Sequence, residues 1–290
     1  MATLRRGDES PEVAELQGRL RELGFDAEGV FGAVTELAVR RFQEAEGLLP
    51  DGTVGPLTRA ALEEAKAAPE PGGTAAAPEP AGGAGPPVDR SLRLSDAQYL
   101  QEEQPKDLIV LHHTAGGSAR STFNWWQEGD PKRIATAYIV ERDGTILEVF
   151  DPRFWAFHLG LPGTGGRVDR RSIGIELASE GWLEKLDGGF LAFGRPFKGE
   201  VYDHGSEWRG QRYFAAYTPD QTASVIALVN HLCELFAVPR RTPADYLAFD
   251  PALFDFRGIV GHHHVRADKT DLHPGFRWES LIEEARLEKS

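Results

Sequence analysis

The chain has 290 residues, 41% of them hydrophobic and 10% aromatic, enough to close roughly two hydrophobic cores at about 150 residues per domain. Forty-five acids against 32 bases leave a formal charge of −13, which argues against a nucleic-acid partner held through its phosphates. The single cysteine, Cys233, excludes a disulfide framework and any Cys-rich zinc ribbon, so a metal in this chain falls to histidine and carboxylate.

The opening residues, MATLRRGDES, lead into polar sequence without the apolar stretch of a secretory signal. No run of about 18 apolar residues follows anywhere, so no membrane-spanning helix is expected. Val13, Leu16, Leu20 and Leu23 recur at helical spacing with Gly24 behind them as a C-cap candidate, and Leu37, Ala38 and Phe42 form a second stripe. A third short helix is expected from Leu57 to Ala65, after Gly55 and Pro56. Three short helices within residues 1–65 bury a modest core, which suits a binding module better than a catalytic cleft. Residues 66–90 are nearly all Ala, Pro, Gly and Glu and read as a linker. Such a tether spans about 25–30 Å, so the domains beside it can engage two points of one polymer.

Residues 91–290 change to a mixed pattern. Leu108 to Leu111 is a continuous apolar run ending in His112-His113, and Tyr138–Arg142 and Thr145–Phe150 flank the turn pair Asp143-Gly144. Ser172–Leu177 and Gly258–His262 supply two more strands, the first apolar on both faces and therefore central. Thr218-Pro219-Asp220-Gln221 is a capping box with proline at N1, opening a helix whose apolar face is Val225, Leu228, Val229, Leu232 and Phe236. Cys233 on that helix reads as a core residue. The expected fold class is α/β, a mixed central sheet flanked by helices, with a small all-α domain of three helices before it. Residues 180–217, rich in aromatics and glycine, leave two readings open: a rim over a cleft, or an insertion packed on itself.

The histidines gather at strand ends: His112-His113 after LIVL, and His262-His263-His264 after GIVG. With Asp271 and Lys269 close behind, the set offers two imidazoles and a carboxylate, the donors of an open catalytic zinc site. Neighbouring strand residues face opposite sides, so His262 and His263 do not share one metal unless a bulge intervenes. That leaves His113 and His263 for backbone groups or the cleft wall. Glu176, an acid inside an apolar strand, needs compensation that a metal site provides.

Two resemblances sharpen this reading. Gly7, Val13, Leu16-Gln17, Leu20, Gly24, Phe31-Gly32, Thr35, Ala38-Val39, Phe42-Gln43, Gly47-Leu48, Asp51-Gly52, Val54-Gly55 and Thr58 resemble the peptidoglycan-binding three-helix module. LIVLHHTAG (108–116), AYIVERDGTI (137–146), AFHLG (156–160), SIGIEL (172–177) and GHHHVRADKTDLHPGFRW (261–278) resemble, in order, the blocks of zinc-dependent N-acetylmuramoyl-L-alanine amidases, which share their fold with peptidoglycan recognition proteins. By position, the resemblance implies one zinc ion on His112, His262 and Asp271, with Glu176 as general base and Lys269 stabilising the oxyanion. It also implies substrate contacts at His158 and Trp155, with a structural His158 as the other reading. His273, just before Pro274-Gly275, is the rival third ligand. Where some members carry a catalytic tyrosine this chain has Thr136 and Ala137, which puts a tyrosine-assisted mechanism in doubt.

The implied partner is bacterial peptidoglycan, cut between N-acetylmuramic acid and L-alanine by a monomer that needs no nucleic acid and no membrane. A non-catalytic peptidoglycan receptor or virion module on the same fold is the alternative, disfavoured because all three ligands and Glu176 are kept. A wall-recycling amidase acting on small fragments would have little use for a wall anchor. The missing leader suits a phage endolysin or export by a nonclassical route.

Overall fold

A computed structural model describes residues 3–5, 7–8, 10–22, 31, 35, 39, 43, 52–64, 85–128 and 133–290. The chain divides into two compact units, Met1–Ala77 with Asn124–Pro131, and Pro78–Phe123 with Lys132–Ser290. Leu23, Gly24, Leu37, Ala38, Phe42, most of the linker (66–84) and several of the module's marker glycines lie outside the described residues.

In the first unit, helix α1 (Pro11–Glu22) and helix α2 (Pro56–Glu64) are described, and Thr35, Val39 and Gln43 stand at helical positions four apart. Val13, Leu16 and Leu20, the expected stripe of α1, are buried with Leu4, Phe31, Val39, Val54 and Leu62. The polar marker residues have structural duties. Gln43 Nε2 donates to Thr53 O (2.8 Å) and Thr58 Oγ1 (3.0 Å), its Oε1 accepts from Gly52 N (2.9 Å), and Gln17 Nε2 donates to Thr35 Oγ1 (2.9 Å). A core this small cannot leave such groups dry and unpaired.

The second unit is built on a five-stranded sheet ordered β11-β1-β4-β2-β3. Its strands are β1 (Leu108–His113), β2 (Tyr138–Val140), β3 (Ile146–Glu148), β4 (Ser172–Leu177) and β11 (Gly258–Gly261). Strands β11, β1, β4 and β2 run parallel and β3 closes one edge antiparallel, as a mixed sheet requires. Gly144, in the turn of the β2–β3 hairpin, has φ 86°, a conformation that glycine adopts at no steric cost. Its helices include α4 (Arg167–Arg171), α5 (Pro219–Phe236), the turn α6 (His262–Val265) and α7 (Trp278–Glu284), and α3 (Ala119–Gln127) begins in it, the residues from Asn124 counting with the first unit.

The capping box forms as the sequence predicts: Thr218 Oγ1 accepts from Gln221 N (3.0 Å), and Gln221 Oε1 accepts from Thr218 N (3.2 Å). The Gln221 amide also donates to Ala178 O (2.9 Å) and Val140 O (3.3 Å), which fastens the start of α5 to the ends of β4 and β2. Val225, Leu228, Val229 and Leu232 are fully buried on α5, each contributing about 1.5–3 kcal/mol relative to exposure.

Register is what positions the site. Alternate residues share a face, and the pairs Leu108↔Ser172, Val110↔Gly174 and His112↔Glu176 place His112 beside Glu176. On the other side of β1, Leu111 pairs with Gly261, so His262 is the next residue in step with His112. The same face of β1 and β11 carries Leu108, Val110 and Val260 into a core with Leu159, Leu161, Val168, Leu253 and Val265.

The segment 180–217 is neither a loop nor helical. It forms a second five-stranded sheet of order β7-β6-β5-β9-β8, all pairs antiparallel, from β5 (Trp182–Leu186), β6 (Gly189–Ala192), β7 (Arg195–Phe197), β8 (Val201–Trp208) and β9 (Gln211–Ala215). Leu183, Ala192 and Ala215 pack on one face with Phe190, Phe197, Val201 and Tyr213. A short pair, β10 (Arg241–Thr242) with β12 (Glu288–Lys289), completes the strands.

Candidate metal centre

Strand β11 was expected to run to His262, but it stops at Gly261 and the chain turns into α6. In a helical turn consecutive side chains diverge by about 100°, so three adjacent histidines leave in three directions. His262 faces the sheet end, His263 Nε2 bonds Tyr246 O (3.0 Å), and His264 Nδ1 accepts from Gly261 N (2.8 Å). His113, pointing to the opposite face from His112, bonds Tyr217 Oη through Nδ1 (3.0 Å).

Three ligand atoms converge at the sheet end: His112 Nδ1 lies 3.1 Å from His262 Nδ1 and 3.2 Å from Asp271 Oδ2, and the last two are 3.0 Å apart. A tetrahedral zinc with bonds of about 2.0–2.1 Å separates its ligand atoms by about 3.3 Å, so the set is sized for one ion. All three residues are buried, and among the described residues they form the one such group of His, Cys, Asp or Glu.

The outer faces of the two imidazoles fix which nitrogen is bare. His262 Nε2 sits 3.0 Å from Leu159 O, an acceptor only, so its hydrogen is on Nε2 and its Nδ1 presents a lone pair. For His112 the same result comes through a chain of bonds. Ser172 Oγ donates to Asp169 O (3.1 Å), leaving that oxygen to accept from His158 Nε2 (2.7 Å). His158 Nδ1 then accepts from His112 Nε2 (2.9 Å), and His112 Nδ1 is bare. The buried Asp169 carboxylate holds the segment that does both jobs, accepting from His158 N (2.8 Å) and Leu159 N (3.0 Å) through one oxygen. Burial, and after it the neighbouring His262, pushes the His112 imidazole down to about 4, so it is neutral at physiological pH. Two lone pairs and an anion at this spacing repel one another unless a cation lies between them, and this is the physical test a metal ligand set has to pass.

Glu176 lies next to this cluster. Burial, then repulsion from Asp271, pushes its carboxyl well above the usual range, with Lys269 pulling the other way. Its Oε2 is buried and has no hydrogen-bond partner. A raised carboxyl beside a metal set is poised to carry a proton. Lys269 is half-buried in the turn before Asp271, and its charge is felt at both His112 and Glu176.

His158 backs His112, while Trp155 and His273 lie outside the ligand set. Trp155 is 2% exposed, flanked by Phe157 and Arg170, with Nε1 directed at Glu102 Oε2 (3.4 Å); it is a wall of the core here. Both ring nitrogens of His158 are engaged by His112 and Ser172. His273 is outside the ligand set: Nε2 meets Ala215 O (3.1 Å), Nδ1 accepts from Gly275 N (3.1 Å), and the ring is sandwiched by Phe214 and Tyr217. Thr136 donates to Tyr138 O (2.9 Å) and packs over Gly174. Sequence reasoning missed Asp169, Ser172 and the Leu159 carbonyl. The one signal was Asp169 and Ser172 bracketing two arginines at the start of the SIGIEL strand.

Two imidazoles and a carboxylate beside a raised carboxyl are a donor set that could hold one metal ion. The chain belongs to the N-acetylmuramoyl-L-alanine amidase family, whose model matches residues 102–275, and residues 9–62 match a putative peptidoglycan-binding domain. An uncharacterized protein of Kitasatospora aureofaciens is 51% identical over 49 residues, 17% of this chain and 42% of that protein. A spore cortex-lytic enzyme of Halalkalibacterium halodurans is 42% identical over 64 residues, 21% of this chain and 19% of that enzyme. The chain thus spans less than half the length of these curated relatives. Among solved structures, the amidase LysC of Clostridium intestinale is 15% identical with TM-score 0.39, over 70% of this chain and 99% of that one. The amidase AmiD of E. coli is 20% identical with TM-score 0.42, over 63% and 59%.

Proposed function

We propose that this chain hydrolyses the amide between the lactyl group of N-acetylmuramic acid and L-alanine in bacterial peptidoglycan, using one zinc ion held by His112, His262 and Asp271. The observation that carries the reading is the convergence of three bare ligand atoms beside the unpartnered Glu176 Oε2. The two family matches, to an amidase and to a peptidoglycan-binding domain, supply the substrate.

A bound zinc supplies Lewis acidity and a water acidic enough to act as nucleophile near neutral pH. Glu176 takes the proton of the attacking water and delivers it to the departing amine of alanine. Its raised pKa brings it toward the pH at which both transfers are efficient. Lys269 offsets negative charge on the scissile carbonyl oxygen. His158 acts from behind His112, keeping its Nε2 hydrogen-bonded and its Nδ1 free. Residues 1–65 hold the wall, 66–90 tether, and 91–290 cut, so that one polymer engages both ends of the chain.

The test is digestion of intact peptidoglycan with products read by mass spectrometry. Stem peptides beginning in L-alanine are expected from the native protein, lost when a chelator removes zinc and restored on adding it back. Glu176→Gln is expected to keep zinc and wall binding while losing about 10²–10⁴-fold in rate. Wall binding with no release by the native, zinc-loaded protein would overturn the proposal in favour of a receptor.

A further inference from the structure

The loop that delivers Asp271 and Lys269 is held from outside by the second sheet. Strands β8 and β9 are joined at Trp208↔Gln211 by the two-residue turn Arg209-Gly210, both residues left-handed at φ 52° and 76°. Such turns favour Asn-Gly or Gly-Gly, so an arginine at the strained first position needs a reason, and its guanidinium provides one. Nη1 donates to Arg266 O (2.9 Å), Ala267 O (2.9 Å) and Lys269 O (2.6 Å), and Nη2 to His263 O (2.9 Å). These carbonyls belong to the turn α6 and the residues after it, which carry His262 at one end and Lys269 at the other. The guanidinium stacks on Trp208, whose ring also meets His263 edge-on.

The far side of the loop is gripped by the same sheet. Ala215 O, at the end of β9, accepts from His273 Nε2, Phe214 stacks on the His273 ring, and the Tyr202 ring on β8 lies so near Gly275 that a Cβ there would sit 2.8 Å from it. Asp271 therefore stands between two anchorages, with its own carbonyl accepting from His263 N (2.7 Å) inside the loop.

We propose that the β5–β9 sheet is a clasp that preorganises the metal loop, with Arg209 as the positioning residue that fixes Lys269 and Asp271 before the ion arrives. The inference rests on the zinc reading for its consequence and on the loop contacts for its mechanism. Arg209 touches neither metal nor substrate. It acts by tying four carbonyls that would otherwise turn freely to water.

The experiment compares full-length native protein with Arg209→Gly and Arg209→Lys. Glycine removes the guanidinium while relieving the left-handed backbone, so the hairpin itself is expected to survive. Amide hydrogen exchange in the metal-free proteins is expected to speed up across 263–275 in Arg209→Gly, with β4 and α5 unchanged. Zinc affinity by chelator competition is expected to fall about 10–100-fold, the effect typical of losing an outer support of a metal site. Arg209→Lys, a point charge without the planar fork, is expected to fall between. Unchanged exchange and unchanged zinc affinity in Arg209→Gly would overturn the proposal, as would loss of protection spread evenly over the whole unit. If the native protein takes up no zinc, the zinc reading fails by itself, and the exchange data still decide whether Arg209 holds the loop.

Discussion

Replacing His158 with leucine tests the hydrogen-bond chain behind the metal ligands. The change keeps an apolar body of similar size and deletes the acceptor that His112 Nε2 uses at 2.9 Å. A buried donor left without a partner costs about 1–3 kcal/mol. His112 can escape that cost by moving its hydrogen to Nδ1, the atom that faces Asp271, which competes directly with the ion. Either route weakens zinc by about 10–100-fold, or about 1.4–2.7 kcal/mol. Competition against a chromophoric chelator gives the affinity, and nitrogen-15 chemical shifts of His112 in the metal-free protein give the tautomer. His158→Gln, which can offer an amide oxygen at the same place, is expected to recover much of the loss. Native zinc affinity together with a native His112 tautomer in His158→Leu would refute the reasoning.

Three further outcomes follow from packing and charge. Gly174→Ala places a Cβ 2.5 Å from Thr136 Cγ2, 2.9 Å from Thr136 Cβ and 3.2 Å from His158 Nδ1; overpacking of this kind costs about 1–3 kcal/mol, and Thr136→Ser, which deletes the nearest clashing methyl but keeps the Cβ, should restore part of the lost melting temperature. Gln43→Leu strands the Gly52 N–H and should destabilise the first unit by about 1–3 kcal/mol in denaturant titrations, with no change in the second unit's transition. Lys106 is buried, its ammonium donating to Phe154 O, Arg170 O and Ser172 O, and burial pushes it down to about 7. The unfolded chain keeps that proton up to the ordinary lysine range, so it binds more protons than the folded one between about pH 7 and 10.5, and stability contributed here rises with pH. The shift sets an upper bound of about 5 kcal/mol, reduced by the three carbonyls that solvate the charge. Lys106→Met should flatten this slope in melting curves taken across that range, and an identical slope in both proteins would reject the idea.

What the sequence disclosed and what it concealed divide along a physical line. Apolar runs ending in histidine, the Asp143-Gly144 hairpin and the capping box at Thr218 are short-range patterns, each written in neighbouring residues, and each forms. His112, His262 and Asp271 were legible through their spacing in recognisable blocks, and the structure brings all three together. Asp169, Ser172 and Arg209 were not, because their duties exist only once distant segments pack. Arg209 bonds carbonyls 54 to 60 residues further on, and no local pattern records such a distance. The 180–217 segment shows the same limit. Its Gly188, Gly194 and Gly210 turns were visible as glycines, yet pairing five strands around them needed the partners' register, which aromatic content does not reveal.

The three converging atoms of the candidate metal centre come from segments 150 and 159 residues apart, in a chain with one cysteine. An ion seated there would join the first strand of the domain to the loop after its last sheet strand as a removable staple, in a chain that cannot form an internal disulfide. Because an unfolded chain holds the three donors nowhere near one another, free zinc favours the folded form by mass action. Resistance to heat and to proteases would then track the zinc level of the surroundings, and stripping the ion would loosen the domain's closure as well as stop its chemistry.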